Sequence, residues 1–303
     1  MVEFIMYHYV RDLQKSNFPK IKGLNYSDFI DQINYLIKNY NILSIEDFIE
    51  NKYSFNKKNC VLTFDDGYID HYDFVFPTLV KNNIKGAFFS PVDTILENKL
   101  LDVNLLHIIL ASEDENIILK RIKYHYDRID NSKKLSEYIN SINTESRYDN
   151  KNTIIIKRLL QTTLPPNIRK KICRFLLEDF VDDNEENLSK SFYLNKEQIK
   201  EMISHGMHFG SHGKSHSWFS SLDKNKQEVE IKSSVKFLNS LYQKDYVLTM
   251  CYPYGDYNDI TLNLLNKYKF KLGLTTIPKT YNKLKNKIFE IPRWDTNDYY
   301  PKK

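Results

Sequence analysis

The stretch Val61-Leu62-Thr63-Phe64-Asp65-Asp66-Gly67 joins a short apolar run to two adjacent carboxylates and a glycine. The run alternates and is β-branched, which is typical of a buried strand, so the two acids mark the tip of that strand. Neighbouring carboxylates repel each other, and an enzyme can give one to a metal ion and keep the other as a base. By itself the pair favours an ordinary Asp-Gly turn, so other parts of the chain must decide between turn and site.

The composition indicates a globular protein with a sizeable core. The chain has 303 residues, of which 41% are hydrophobic and 14% aromatic, enough for one large domain or two smaller ones. Its net charge of +5 comes from lysines interleaved with acids, without the clustered basic face that a nucleic-acid partner needs. A mild preference for anionic ligands, such as sugar phosphates or acidic glycans, stays open.

The expected location is the cytoplasm. Three cysteines, Cys60, Cys173 and Cys251, are widely spaced and odd in number, which fits a reducing compartment without disulfides. Glu3 stands where a signal peptide would be basic, and the apolar run around it is too short for one, although a trimmed export signal stays possible. No stretch approaches the ~20 apolar residues of a membrane span.

Strand-like and helix-like segments alternate on either side of residues 93–192. Alternation of this kind is typical of parallel strands with crossover helices, and six to eight strands predict a closed or nearly closed β/α barrel. Catalytic residues of such barrels lie at the carboxyl ends of the strands. Besides the Asp65-Asp66 strand, the predicted strands are 3–10, 87–90, 207–211, 246–251, 271–276 and an extended segment at 289–293, and the predicted helices are 26–40, 196–204, 224–242 and 260–268.

Residues 93–192 interrupt this alternation. Their apolar residues keep helical periodicity, which predicts a helical insertion within a single barrel domain covering 1–303. The insertion could serve as a substrate lid, a dimer surface or a partner site, and the sequence leaves both this choice and the oligomeric state open.

A second motif, Ser211-His212-Gly213-Lys214-Ser215-His216, also follows a predicted strand. Two histidines four residues apart can face one metal ion, and imidazole nitrogen with a carboxylate as third ligand suits Zn²⁺ and its neighbours in an open catalytic site. The alternative is a pair of surface histidines on one helical face. Because a barrel places strand ends at one rim, His212 and His216 are expected beside Asp65 and Asp66.

Two further motifs lie near strand ends. In Cys251-Tyr252-Pro253-Tyr254-Gly255-Asp256, proline and glycine fix a sharp turn that can aim a backbone N–H at a ligand, and the tyrosines could line a sugar pocket. An ordinary turn with aromatic cover is the alternative. Arg293 and Trp294 follow the segment 289–292, and Arg293 forms either a structural salt bridge or a pair with Asp65 that keeps that carboxylate ionised.

Together these motifs resemble the polysaccharide deacetylases of carbohydrate esterase family 4. Thr63–Gly67 stands as T-F-D-D-G, Ser211–His216 as a loose S-H-x-x-x-H, and Tyr252–Gly255 resembles the R-x-P-x-G turn. The resemblance covers the chain outside the insertion. It implies a distorted (β/α)₇ barrel, a divalent metal, and hydrolysis of an N-acetyl group from an amino sugar.

By matching positions, the resemblance implies that Asp66, His212 and His216 hold the ion and that Asp65 is the base. The expected ion is Zn²⁺, with Co²⁺, Ni²⁺ and Mn²⁺ as alternatives. The protein is therefore expected to act on an N-acetylated amino sugar in a surface glycan or its precursor.

The chain departs from the family pattern at two points. Cys251 stands where the third motif has arginine, so Arg293 is the expected partner of Asp65. No histidine follows His216, whereas the family's general acid is usually a histidine near the carboxyl terminus. Some members of the resembled family look circularly permuted, with a Tyr-His near the N-terminus that supplies the acid. His8 is therefore the expected acid, and a structural histidine is the alternative.

The expected substrate contacts are Tyr252, Tyr254 and Trp294, with Trp218 as a further candidate sugar platform. Two other functions stay open. One is removal of a formyl or other acyl group from a nucleotide- or lipid-linked sugar. The other is a glycan-binding pseudoenzyme, suggested by the absent motif arginine and C-terminal histidine.

Overall fold

The computed structural model describes residues 1–52, 58–130, 132–145, 149–242 and 246–298. The chain divides into two compact units. The barrel unit comprises Met1–Asp12, Gly23–Lys99 and Ser189–Lys303, and the helical unit comprises Leu13–Lys22 and Leu100–Leu188. The helical unit overlaps the predicted insertion and also takes in the segment before Gly23.

The barrel unit contains the strands. They are β1 Val2–Tyr7, β2 Val10–Arg11, β3 Leu24–Asn25, β4 Asn41–Leu43, β5 Asn59–Asp65, β6 Ala87–Ser90, β7 His208–Ser211, β8 Thr249–Cys251, β9 Leu272–Leu274 and β10 Trp294–Asp295. The main sheet runs β10-β1-β5-β6-β7-β8-β9, with β4 also paired to β5, and every pairing within it is parallel. β2 and β3 form a small separate sheet.

The sheet curls into the distorted β/α barrel that the sequence predicts. Ile291 forms a parallel bridge to Leu274 of β9, while Trp294 pairs with Ile5 of β1. The segment leading into β10 thus lies beside β9 at one point and beside β1 at another, which brings the two ends of the sheet together. All seven residues of β5 are buried, as expected for a parallel strand covered on both faces.

Helices follow most of the strands. The α-helices are α1 Tyr26–Asn39, α2 Ile45–Ile49, α3 Phe76–Lys81, α4 Val92–Leu96, α5 Asp102–Ser112, α6 Glu115–Ile129, α7 Leu135–Asn140, α8 Lys151–Arg158, α9 Pro166–Phe180, α10 Glu185–Phe192, α11 Lys196–Ser204, α12 Lys224–Asn239 and α13 Asp259–Lys267. Single π-helical turns lie at His71–Val75 and Leu159–Thr163, and 3₁₀ turns at Phe219–Ser221, Pro253–Gly255 and Thr296–Asp298. No helix among the described residues is long and apolar enough to cross a bilayer.

Stacked phenylalanines fix the register at the centre of the sheet. Phe64 of β5 pairs with Phe88 of β6, which pairs with Phe209 of β7, and all three are buried. Their ring centroids lie 4.7 Å and 5.3 Å apart along this row. A one-residue slip would turn these rings to the opposite face, so the row holds the carboxyl ends of β5 and β7 on either side of β6.

The helical unit has a core of its own. Its α6 packs against α8 and α9, and α5 packs against α9. Isoleucine and leucine dominate the buried positions of these helices, among them Ile108, Ile122, Ile156, Ile172 and Leu176. The predicted helical periodicity of this stretch therefore corresponds to packed helices.

Candidate metal and catalytic site

The chain turns sharply at the tip of β5. Asp66 and Gly67 both have left-handed backbone conformations, with φ of 72° and 68°. A Cβ atom at Gly67 would lie 2.3 Å from Ser90 Oγ, so only glycine fits there. A non-glycine residue such as Asp66 in this conformation is strained, and such strain concentrates at functional sites. The turn presents Asp65 and Asp66 to different partners.

Asp65 pairs with Arg293 in the interior of the protein. Arg293 Nη1 and Nη2 donate to the two carboxylate oxygens of Asp65 at 2.8 and 2.7 Å. The guanidinium also donates to Thr275 O and Thr63 Oγ1, so several hydrogen bonds fix it. Burial alone would raise the pKa of Asp65, but the charge and hydrogen bonds of Arg293 outweigh it and lower that pKa to about 2. Asp65 is thus held ionised and oriented.

Cys251 stands at the sequence position where the third motif of the resembled family has arginine. Its thiol donates to Asp65 Oδ2 at 3.3 Å, and its Sγ lies 3.2 Å from Arg293 Nη2. Burial raises the pKa of the Cys251 thiol, which therefore stays protonated. The structure brings Arg293 to Asp65 from the segment before β10, so a guanidinium is present although position 251 does not supply it.

Asp66, His212 and His216 converge on one point. Asp66 Oδ1 lies 3.2 Å from Nε2 of each histidine, and all three residues are buried. One ligand atom from each residue lies within 4.8 Å of the others. Asp66 Oδ1 has no hydrogen-bond partner among the described residues, although a buried carboxylate oxygen is costly to leave unpaired. A cation between these atoms would resolve that deficit.

The surroundings of the three residues also fit a metal ion. His212 Nδ1 lies 2.8 Å from Cys251 O, which identifies Nδ1 as the donor and leaves Nε2 as a ligand atom. Tyr68 donates its hydroxyl to the other oxygen of Asp66 at 2.6 Å. One carboxylate oxygen and two imidazole nitrogens form the donor set of an open zinc-type site.

A second group of possible metal ligands also includes His212, but its side chains are less suited to bind a metal ion. Asp65, His212 and Cys251 also lie within reach of one another. Both Asp65 oxygens, however, accept hydrogen bonds from Arg293, and the thiol of Cys251 is protonated. The group formed by Asp66, His212 and His216 is therefore the better candidate.

His8 lies at the edge of the site. It follows β1, its side chain is 40% exposed, and its Nε2 lies 3.9 Å from Asp65 Oδ2. The neighbouring buried His71 contacts the backbone carbonyl of His8 through Nε2 at 2.9 Å. Burial lowers the pKa of His71 to about 4, so it is neutral and donates that hydrogen bond through Nε2–H. The exposed imidazole of His8 beside a buried carboxylate suits exchange of protons with a bound molecule.

Two aromatic rings flank the group formed by Asp66, His212 and His216. The Tyr254 ring lies 4.6 Å from the His216 ring, and Trp218 stacks on Tyr254 at 4.2 Å with an interplanar angle of 3°. Trp218 is 43% exposed. The structure thus brings Tyr254 and Trp218 together beside the site, with an indole face available to solvent.

The expectation that Tyr252 contacts a sugar is corrected by the structure. Tyr252 is fully buried, stacks on Tyr257 at 4.6 Å, and donates its hydroxyl to Phe289 O. It is a core residue, because a side chain without exposed surface cannot line an open pocket. Trp294 is half-buried in β10, and its indole N–H donates to Thr280. A sugar contact by Trp294 stays a prediction.

The sequence did not predict three residues that form hydrogen bonds to the candidate site residues or to the loop that carries them. Tyr68 donates to Asp66, and His71 donates to the backbone carbonyl of His8. Glu230 accepts a hydrogen bond from the backbone of Lys214, which lies between His212 and His216. Tyr68 lies two residues after Asp66, so its nearness to the motif was the one signal available. Nothing in local periodicity distinguishes Glu230 from the other acids of its helix.

Comparisons with known proteins find similarity to polysaccharide deacetylases. A family model described as "Polysaccharide deacetylase" matches residues 169–273. YxkH of Bacillus subtilis (strain 168), provisionally named a polysaccharide deacetylase, is 30% identical over 92 residues, which are 30% of this chain and 33% of YxkH. The alignment thus spans about a third of that curated relative.

Several solved structures share the fold. The Streptococcus pyogenes deacetylase PplD, in complex with acetate, matches with a TM-score of 0.57 and 19% identity over 97% of this chain and 91% of its own. IcaB from Ammonifex degensii matches with a TM-score of 0.57 and 16% identity over 97% and 90%. A de-N-acetylase from Aggregatibacter actinomycetemcomitans matches with a TM-score of 0.55 and 16% identity over 99% and 97%.

The family-model match covers β7 and the loop after it, and therefore includes both histidines that face Asp66. It also covers the turn after β8, which carries Tyr254. The resemblance drawn from the sequence motifs is thus confirmed, because residues 169–273 match the model of the polysaccharide deacetylase family.

Proposed function

We propose that this protein is a metal-dependent hydrolase that removes an N-acetyl group from an amino sugar in a glycan or glycan precursor. The observation that carries the proposal is the unpaired Asp66 Oδ1 facing His212 Nε2 and His216 Nε2 at 3.2 Å, one residue from a second carboxylate held by Arg293. A ligand group and a potential base thus lie at one strand tip.

Asp66, His212 and His216 would hold the ion. When bound there, a divalent cation supplies a water of lowered pKa and polarises the carbonyl oxygen of an acetamide. The remaining chemistry belongs to side chains of the protein. Asp65 stays ionised because the positive charge of Arg293 stabilises its carboxylate, and an ionised carboxylate can accept the proton of the attacking water.

His8 is the proposed proton donor to the departing amine. An amine leaves poorly unless it is protonated, so a general acid is needed beside the scissile bond. His8 is the exposed histidine of this group, 3.9 Å from Asp65, and can reach a ligand from the solvent side. Trp218 and Tyr254 would stack on the sugar ring, because the apolar face of a pyranose packs well against an aromatic surface.

The test is an acetate-release assay on metal-stripped and Zn²⁺-reloaded protein, with N-acetylated oligosaccharides and nucleotide sugars as substrates. Wild type should release acetate only when reloaded. Asp66→Asn should fail to retain zinc, and Asp31→Asn, an exposed change on α1, should behave as wild type. Acetate release at an unchanged rate by metal-free protein would contradict the proposal.

The same assay separates the rival functions. Formate release without acetate release would identify a deformylase. Stoichiometric zinc without release of any acyl group would favour a glycan-binding pseudoenzyme. The absent motif arginine suggested that last possibility, but Arg293 supplies a guanidinium to Asp65, so catalysis is the function that the geometry supports better.

A further inference from the structure

We infer that Glu230 is a positioning residue that holds the histidine loop in its metal-binding shape and thereby sets the affinity for the ion. The inference rests on the proposed metal site. Glu230 lies on α12, far from Asp65 and Asp66 in the sequence, and is 6% exposed. A buried acid of this kind requires hydrogen-bond partners, and one loop supplies them to both of its carboxylate oxygens.

The histidine loop comprises residues 212–216. Glu230 Oε2 accepts the backbone N–H of Lys214 at 2.6 Å and that of Ser215 at 2.9 Å. Glu230 Oε1 accepts the Ser215 hydroxyl at 2.6 Å. Hydrogen bonds to an ionised carboxylate are stronger than neutral ones, so three of them fix the middle of the loop to α12.

The loop needs such a restraint because its backbone is strained. Gly213 and His216 have φ of 74° and 56°, and the second value is unfavourable for a histidine. A Cβ atom at Gly213 would lie 3.0 Å from Glu230 Oε2, which shows how closely the carboxylate approaches the loop. The strained turn brings both imidazoles onto Asp66 Oδ1, and Glu230 stabilises that turn.

The other side of the loop is held separately. Val92 and Asp93 donate their backbone N–H groups to Gly213 O and Lys214 O, and Lys214 Nζ donates to Asp93 Oδ1 at 2.6 Å. These contacts leave the fold of the loop partly supported when Glu230 is changed. Loss of Glu230 should therefore loosen the ligand geometry without unfolding the barrel.

The experiment measures zinc affinity of apo protein by competition with a chromophoric chelator. Glu230→Gln keeps the size of the side chain but replaces one acceptor oxygen by a donor, so the dissociation constant should rise by about 10- to 100-fold, as for other residues that orient metal ligands. Glu228→Gln is the matched control on the same helix, because Glu228 contacts Lys267 and Tyr268. Its dissociation constant should equal that of wild type.

Two further readouts protect the test. The visible spectrum of Co²⁺-loaded Glu230→Gln should differ from that of wild type, which a merely structural role would not produce. If Glu230→Gln does not fold, Ser215→Ala removes one hydrogen bond to the Glu230 carboxylate and should raise the dissociation constant about threefold or more.

The outcomes separate this inference from the proposed function. If Glu230→Gln and Ser215→Ala bind zinc as tightly as wild type, Glu230 does not have this role, although the metal site itself is still supported. Wild type without a stoichiometric zinc site overturns both. If Glu230→Gln and Ser215→Ala bind zinc more weakly while wild type and Glu228→Gln bind it equally tightly, the role of Glu230 is supported, whatever the substrate is.

Discussion

At the scale of single residues, the two carboxylates at the tip of β5 differ in what each of them faces. Asp65 has its charge balanced by Arg293, whereas Asp66 has one oxygen on Tyr68 and the other directed at two imidazoles. The sequence motif predicts both positions and their division of labour. It cannot predict that Tyr252 is buried, because burial of that ring depends on Tyr257 and Phe289 from later segments.

Replacing Asp65 should separate catalysis from metal binding. Asp65→Asn keeps the shape of the side chain but removes the proton acceptor, and loss of a general base costs about 10²- to 10⁴-fold in rate. Zinc content should stay near that of wild type, because Asp65 is outside the ligand group. Acetate release and metal analysis on the same sample test this. Full activity of the variant would show that another group is the base.

His71 should make the protein sensitive to mild acid. Burial lowers its pKa to about 4, whereas the unfolded imidazole titrates at about 6.5. As the pH falls below about 6.5, the unfolded chain binds a proton at His71 before the folded chain does, so the free energy of unfolding decreases progressively towards pH 4. At pH 5 this decrease is about 2 kcal/mol. Between pH 7 and pH 5, the free energy of unfolding of His71→Gln should therefore fall by about 2 kcal/mol less than that of wild type.

Urea unfolding at the two pH values measures this effect. The glutamine side chain introduced by His71→Gln can still donate an N–H to His8 O, so the variant removes the titrating group while a donor remains. His205→Gln, an exposed change, serves as the control and should follow wild type. Equal losses in all three proteins would show that His71 does not carry the acid sensitivity.

The exposed indole of Trp218 should contribute to substrate binding. Trp218→Ala removes the stacked face while leaving Asp65 and the three proposed metal ligands in place. Loss of one aromatic contact of about 1 kcal/mol corresponds to a KM several-fold higher with kcat little changed. Steady-state kinetics on an oligosaccharide substrate measures the split. A fall in kcat alone would assign Trp218 a different role.

At the scale of elements, boundaries with local signals were predictable. The strand 87–90 and the helix 196–204 have the predicted bounds, and the helix begins with a capping box formed by Asn195 and Gln198. The predicted strand 246–251 is only Thr249–Cys251, and the extended segment 289–293 is followed by the short β10. These ends are set by pairing with distant strands, which periodicity along one segment does not report.

The turn after β5 should tolerate no side chain at Gly67. Gly67→Ala places a Cβ atom 2.3 Å from Ser90 Oγ and forces alanine into a left-handed conformation. The conformation alone costs about 1–2 kcal/mol, and the contact with β6 adds to it. Thermal unfolding should show a lowered Tm, and zinc content should fall because Asp66 precedes the turn. Gly86→Ala, also tightly packed but distant from Asp66 in the chain, should lower Tm without that loss of zinc.

At the scale of the whole molecule, metal and folding should be linked. The proposed ligands come from the tip of β5 and from the loop after β7, so an ion bound there would connect two parts of the barrel unit. Binding to the folded state alone stabilises it by about 4 kcal/mol when free metal is roughly 1,000 times the dissociation constant. Zn²⁺ should therefore raise the Tm of stripped wild type and leave the Tm of Asp66→Asn unchanged. Equal shifts in both proteins would place the ion elsewhere.

The barrel class and most of the site were predictable because parallel strands place their carboxyl ends at one edge. The supporting contacts were not, since Glu230, Thr275 and Cys251 reach the site through long-range hydrogen bonds. The division into a barrel unit and a helical unit follows the break in alternation, but the membership of Leu13–Lys22 in the helical unit had no signal in the sequence.

The pairing of β10 with β1 has a consequence for biosynthesis. A ribosome makes Ile5 long before it makes the strand partner of that residue, Trp294. A nascent chain that has not yet reached Arg293 lacks the counter-charge of Asp65, and burying that carboxylate without a counter-charge is costly. We therefore expect the edge of the sheet that carries Asp65 to reach its final shape only after the segment around β10 has been made and has docked beside β1.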